Sequence, residues 1–364
     1  GGMLVQTIPA YRLPRETLFR EIRMIEQMGV EIRTEQALGR DFTLSELHDE
    51  GYQAVFLGVG APQCMSLGIP GDDAAGVVEA GDFLKQYNIR GSVPVGKEVV
   101  VVGGGNAAID AARTALRLGA QSVKIVYRRS QEQMPAYAEE IDEALNEGVE
   151  LLPLTQPVAV ETAPNGTVRA LRCTPMALGD FDRSGRRRPH ARDESAFTIE
   201  ADQIIAAIGQ TLDAEQLLGD LEVAMSEKGF IATDPTCGQT SLPWLFAGGD
   251  AASGPASVVL AIAAGERAAV GIDTMLSGEN HAFWREEQPV DTYVDPDAEP
   301  APYPREDLRT IDAERRRYNF DEVELPWCEQ VAIRQACRCL RCDYGKRSQA
   351  AQPEPAPKRE ESHV

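Results

Sequence analysis

A strand that is apolar at every position and runs straight into glycines limits the folds open to this chain. Residues 97–129 read KEVVVVGGGNAAIDAARTALRLGAQSVKIVYRR. The run Val99–Val102 suits a parallel strand covered on both faces. Gly103 and Gly105 let the backbone turn tightly and approach a pyrophosphate. Ala108 takes the third small position of G-x-G-x-x-[GA], where the helix must pack closely on the strand. A helix over about Asn106–Leu118 then points its first N–H groups, from Asn106 and Ala107 onward, at that pyrophosphate. A second strand, Val123–Tyr127, closes the βαβ unit. Alone, the glycine fingerprint is weak; in this strand–turn–helix setting it predicts a dinucleotide site rather than a purely structural turn.

The tip of that second strand bears on which dinucleotide. Units specific for NAD usually place Asp or Glu there, to bind the ribose 2′-hydroxyl. Here the strand ends in Arg128-Arg129 with no acid. A carboxylate repels a 2′-phosphate, whereas a guanidinium grips it with paired hydrogen bonds. The expectation is NADPH, with NADH as the alternative. The competing interpretation is two solvated surface arginines.

A second glycine signature lies downstream, in Trp244–Ala251 (WLFAGGDA) and the segment GPASVVLAIAAGERAA from Gly254 to Ala269. A short apolar strand ends in Gly248-Gly249, where backbone can approach a ligand closely. Asp250 becomes an acceptor for a sugar-like hydroxyl, and Pro255 suits the first turn of a helix. The stretch Ala256–Val270 is small and apolar enough to predict a deeply buried helix. Two such signatures imply two dinucleotides.

Together, GGML (Gly1–Leu4), IPAYRLPR (Ile8–Arg15), VFLGVGA (Val55–Ala61), VVVGGGNAAIDAARTALRLGA, YRR, MPA, ADQIIAAIGQ and LFAGGDAASGPASVVLAIAAG resemble the glutamate synthase small-subunit family, in the right order over roughly residues 1–280. The resemblance implies an α/β protein of two Rossmann-like, glutathione-reductase-type domains, with an NADPH domain inserted in a discontinuous FAD domain. It implies FAD in one domain, NAD(P)H in the other, and hydride transfer between them, with no catalytic side-chain acid or base. Gly103, Gly105, Asn106, Ala107, Arg128, Arg129, Gly209 and Gln210 then fall to the nicotinamide nucleotide. Gly1, Gly2, Met3, Ile8, Pro9, Arg12, Val59, Gly60, Ala61, Gly248, Gly249, Asp250, Pro255, Ala256, Ser257 and Val258 fall to FAD. Ile8, Pro9 and Arg12 lie by family position near the isoalloxazine. The helix after Ser257 aims its N-terminus at the flavin N1 and O2, where it stabilises the reduced ring. Thr7 stands where the family usually has glycine and alters the fit of the flavin there.

The same resemblance divides the first part of the chain at 1–95 (remaining part of the FAD domain), 96–235 (NADPH domain) and 236–285 (returning FAD part); the change in composition beyond it marks 286–348 (linker and Cys-containing C-terminal helix) and 349–364 (disordered tail). In the family GGML follows a first FAD-binding βαβ, so the expectation is a chain whose first unit lies elsewhere. Its partners are then NAD(P)H, a larger oxidoreductase subunit or a missing N-terminal iron–sulfur and FAD segment. A rival expectation is a non-catalytic NADPH-binding or scaffold subunit that lacks FAD.

Composition removes other classes. The 36 basic and 57 acidic residues give −21, against nucleic acid or an anionic membrane as partner. No apolar run approaches the ~20 residues of a bilayer span, and no secretory signal is visible, so cytoplasm is the default location. His48, His190, His281 and His363 are scattered without ligand spacing. Cys64, Cys173 and Cys237 form neither C-x4-C nor C-x2-C, which disfavours a dithiol reductase. Cys328, Cys337, Cys339 and Cys342 fall within sixteen residues and form a candidate ligand set for a [4Fe-4S] centre or zinc. Their spacing fits neither common pattern, and reduced thiols on a C-terminal helix are the competing interpretation.

Overall fold

The structure, a computed structural model, describes residues 2–181, 185–192, 196–282 and 303–338. It opens with helices α1 (Gly2–Gln6), α2 (Arg15–Gln27) and α3 (Leu44–Asp49) and short strands β1 (Val55–Leu57) and β2 (Gln63–Cys64). The Arg15 guanidinium donates to the carbonyls of Leu4 (2.7 Å) and Ile8 (2.6 Å), fixing the loop between α1 and α2. A reciprocal Thr43–Glu46 capping box starts α3.

Next come β3 (Val77–Glu79), α4 (Ala80–Arg90), β4 (Glu98–Val102), α5 (Asn106–Arg117), β5 (Ser122–Val126), α6 (Ala138–Asn146) and β6 (Glu150–Leu152). With β11 (Gln203–Ala206) they build a five-stranded parallel sheet of order β3-β11-β4-β5-β6. Val99 through Val102 are all buried, as an interior parallel strand demands. Strands β7 (Thr155–Thr162), β8 (Val168–Phe181), β9 (Arg187–Ala191) and β10 (Phe197–Glu200) form an antiparallel layer. An Asn165-Gly166 turn joins β7 to β8: Gly166 has φ 81, and Asn165 Oδ1 accepts from the Thr167 N–H.

The cores do not divide at 95 and 235. Strand β3 pairs with β11, and Ala80, Phe83 and Leu84 from α4 pack with Val99, Ile109 and Ile125. Leu212, Leu218 and Phe230 pack instead with Leu44, Leu57 and Leu245. Through them β12 (Gln210–Thr211) and α7 (Ala214–Leu218) lead into the second core. The resemblance marked the expected boundaries, whereas the cores follow which apolar faces meet.

Strand β13 (Leu245–Ala247) runs parallel to β1 as a two-stranded sheet, followed by α8 (Asp250–Ser253) and α9 (Val258–Ser277). The expectation that this last helix is deeply buried is not met. Ala268 is its one fully buried residue, while Val259 and Ile262 are 74% and 68% exposed. A pair of three-residue strands is too narrow to cover a twenty-residue helix, which is about 30 Å long.

Two compact units emerge, Gly1–His281 with Ile311–Val323, and Ala282–Thr310 with Glu324–Val364. In the first, α10 (Ala313–Arg316) and Phe320 form a strap: Phe320 stacks on Tyr87 at 4.2 Å, and the Val323 N–H donates to the Tyr11 carbonyl. In the second, β14 (Arg309–Thr310) pairs antiparallel with β15 (Glu324–Leu325). There α11 (Glu329–Ala336) is held by Tyr303, whose hydroxyl donates to the Arg334 carbonyl at 2.7 Å. Among the described residues no helix is long and apolar enough to cross a membrane.

Candidate functional site

The first cradle is the β4–α5 turn, and its three glycines do different work. Gly103 has φ +147, and a Cβ there would lie 2.2 Å from the Ala207 carbonyl oxygen at the end of β11. A Cβ on Gly104 would meet the Tyr127 ring at 2.6 Å. A Cβ at Gly105 would meet only Pro135 Cγ, at an ordinary contact distance of 3.9 Å, so this position is not crowded. No side chain caps α5. An uncapped helix N-terminus beside bare backbone is what a pyrophosphate requires. The Asn106 side chain engages the loop ahead of α6, its Oδ1 accepting from the Tyr137 N–H at 3.1 Å.

Beyond β5 the cavity wall is cationic. Arg128 is exposed, and Arg129 Nε donates to the Arg187 carbonyl at 3.1 Å. Arg186, which sequence reasoning did not single out, lines the same cavity. Of the described residues lining it, Asp110 and Asp250 alone are acidic; Asp110 lies on α5 and Asp250 follows β13, so neither sits at the tip of β5.

The second cradle follows β13. A Cβ on Gly248 would crowd Ala264 and the Phe56 ring at 3.0 Å, and Gly249 adopts φ +62. Asp250 Oδ1 accepts from the Ala256 N–H at 3.1 Å, closing the loop ahead of α9, and burial raises its carboxyl above the usual range. Ser257 caps α9 by accepting from the Leu260 N–H.

Both cradles open onto one cavity of about 1320 Å³. That exceeds the ~300–1,000 Å³ of an ordinary small-molecule pocket and leaves room for two nucleotides. Gly2, Met3, Ile8, Arg12, Val59, Gly60, Gly103, Gly105, Asn106, Ala107, Arg128, Arg129, Gly209, Gln210, Gly248, Gly249, Asp250, Pro255, Ala256, Ser257 and Val258 all line it. Pro9 and Ala61 do not, and Ala61 is core. Gly1 lies outside the described residues. Thr7 also faces the cavity but turns its hydroxyl back to the Met3 carbonyl at 3.0 Å.

Arg12 is more committed than its family position implied. Its Nη1 donates to both oxygens of Asp110 at 2.9 Å, and its Nε lies 2.9 Å from Glu140. The side chain expected beside the isoalloxazine therefore also ties the N-terminal loop to α5 and α6. Burial pushes the Asp110 carboxyl up to about 6, and Arg12 pulls against it. Behind this pair lies a buried cluster, Arg113 and Arg117 around Glu147, under the fully buried Tyr11 ring. Burial favours protonation of Glu147, yet the two guanidiniums prevail and hold its carboxyl below the usual range. Charged residues on the inward face of α5 were the available sequence signal for this cluster.

Of the proposed cysteine set, Cys328 and Cys337 are described, and they do not come together. Cys328 precedes and Cys337 follows the eight-residue α11, which at about 1.5 Å per residue sets them some 13 Å apart along the axis. They cannot both ligate one centre while α11 is helical. Cys339 and Cys342 lie outside the described residues. Among the described residues no cluster of His, Cys, Asp or Glu could hold a metal ion.

Two glycine cradles on separate parallel strands, opening onto one cavity, define a two-dinucleotide oxidoreductase of the Rossmann type. Residues 6–265 match the family described as "Pyridine nucleotide-disulphide oxidoreductase", and the chain belongs to that family of FAD-dependent NAD(P)H oxidoreductases. It is 40% identical over 354 residues to the NADP(+)-dependent formate dehydrogenase subunit beta of Moorella thermoacetica, covering 94% of this chain and 49% of that protein. It is 38% identical over 286 residues to the glutamate synthase [NADPH] small chain of Escherichia coli (strain K12), covering 75% of this chain and 60% of that protein. The chain thus spans about half the length of such relatives. In fold it is similar to Mycobacterium tuberculosis FprA in complex with NADPH, with TM-score 0.61, 18% identity, and 76% and 75% of the two chains covered.

Proposed function

We propose that this chain is the NADPH-oxidising, FAD-binding electron-entry part of a larger oxidoreductase. The observation that carries the reading is the single cavity into which both cradles open. In this reading Gly103, Gly105 and the α5 N-terminus hold the nicotinamide nucleotide's pyrophosphate. Arg128 and Arg129 hold its 2′-phosphate. Gly248, Gly249 and Asp250 hold the middle of FAD, with the start of α9 at the flavin. Bound together, the two cofactors supply hydride transfer from nicotinamide to flavin, chemistry that needs no protein acid or base. The chain's own work is to position both groups, exclude water, and present the α9 N-terminus to developing negative charge. Names such as "subunit beta" and "small chain" among the relatives support a partner that takes the electrons onward, through iron–sulfur centres in our reading.

The test is anaerobic spectrophotometry of the chain reconstituted with FAD. The expected outcome is that NADPH bleaches the blue flavin band stoichiometrically, and much faster than NADH at equal concentration. A chain that binds NADPH but retains no flavin would instead favour a nucleotide-binding subunit.

A further inference from the structure

We propose that Arg186, from the β8–β9 hairpin, completes the 2′-phosphate site as its specificity-determining third cation. The inference deepens the NADPH reading and rests on it. Arg186 is some fifty-eight positions from Arg128 in sequence, on a layer outside the parallel sheet, yet it lines the same cavity as Arg128 and Arg129. Its guanidinium is fixed in place. Nη2 donates to the Tyr127 hydroxyl at 2.7 Å and to the Gln133 carbonyl at 2.6 Å. The Tyr127 hydroxyl itself donates to that carbonyl at 2.9 Å.

Tyr127 connects the two ends of the site. Its ring packs on Gly104 in the pyrophosphate turn, and its backbone leads into Arg128 at the strand tip. An arginine held on Tyr127 is thereby registered to the place where the ribose of a dinucleotide falls in this fold. Arg129 holds the hairpin from the other side, through its bond to the Arg187 carbonyl. A phosphate dianion entering here meets the guanidiniums of Arg128, Arg129 and Arg186; among the described residues the lining carboxylates are Asp110 on α5 and Asp250 after β13. Planar guanidinium donors recognise phosphate oxygens in pairs. A free 2′-hydroxyl carries no charge for them to hold.

The test uses the full chain and two small probes, 2′,5′-ADP and 5′-ADP, titrated by calorimetry without flavin turnover. Arg186→Gln is expected to weaken 2′,5′-ADP about 10- to 100-fold, the loss of a hydrogen bond to a charged group, and 5′-ADP less than twofold. Arg186→Lys retains the charge without the fork and is expected to fall between. If both probes weaken equally, or 2′,5′-ADP is unaffected, Arg186 only braces Tyr127 and the inference fails. If Arg186→Gln does not fold, the same ratio measured on Arg186→Lys decides: a selective loss supports the inference and no selective loss overturns it. Arg128→Ala separates the two levels. Selectivity lost there but kept in the Arg186 variants sinks only the third cation. Selectivity unchanged in Arg128→Ala and in the Arg186 variants alike removes the 2′-phosphate reading as well.

Discussion

Glu147 shows what a single side chain is asked to do. Its side chain has no exposed surface, and its two oxygens serve the guanidiniums of both Arg113 and Arg117. Truncation to Ala leaves two buried cations short of their main counter-charge, and breaking such a buried pair costs about 3–5 kcal/mol. We expect Glu147→Ala to lower the unfolding free energy measured by urea titration by that amount, whereas the surface variant Glu161→Ala, whose Arg169 partner is 64% exposed, changes little. Gly103→Ala belongs at the same scale, because φ +147 and the Ala207 carbonyl both forbid the added methyl. These roles were unequally legible. The fingerprint announced Gly103, but Gly104 follows from a ring that arrives twenty-three residues later. Asp110, Arg113 and Arg117 lie on the inward face of α5, but their partners, Arg12, Glu140 on α6 and Glu147 at its C-terminal end, come from distant segments.

At the scale of elements, α5 and α9 come from similar small apolar sequences and meet different fates. Helix α5 lies on a five-stranded sheet and is buried from Ala108 to Arg117. Helix α9 lies against two short strands and keeps an apolar face exposed. Val259→Gln and Ile262→Gln are therefore expected to change the stability of this chain by no more than about 0.5 kcal/mol. The cap matters more: Ser257→Ala should cost about 1 kcal/mol. Chemical denaturation of the three variants checks both statements, and a loss above 2 kcal/mol at Val259 would show the face to be covered. Periodicity and composition gave helix type and position. They could not give burial, which depends on how much sheet the rest of the chain provides.

For the molecule as a whole, Arg12 and Asp110 join the loop that faces the second cradle to the helix that begins the first. Glu140 on α6 and Arg113 on α5 complete the charges around them. Asp110 titrates at about 6 in the folded chain against 3.8 when free. The sign follows: the folded state binds this proton more tightly, so the group's contribution to stability is greatest below about pH 4. It declines as pH rises to about 6 and is constant above. The stability difference between the wild type and Asp110→Asn should therefore fall across that window. A difference that grows with pH would mean that the attraction to Arg12 outweighs burial.

By itself the sequence determined the parallel strand, the glycine turn, the helix after it and the absence of acid at Arg128-Arg129, because each follows from backbone sterics and charge within a few residues. Only the tertiary structure decided that the two cradles share one cavity, that Arg186 joins the cationic wall, and that Cys328 and Cys337 stand at opposite ends of α11. Those facts depend on contacts between segments far apart in the chain, or on the rigid length of a helix, and no local pattern encodes them.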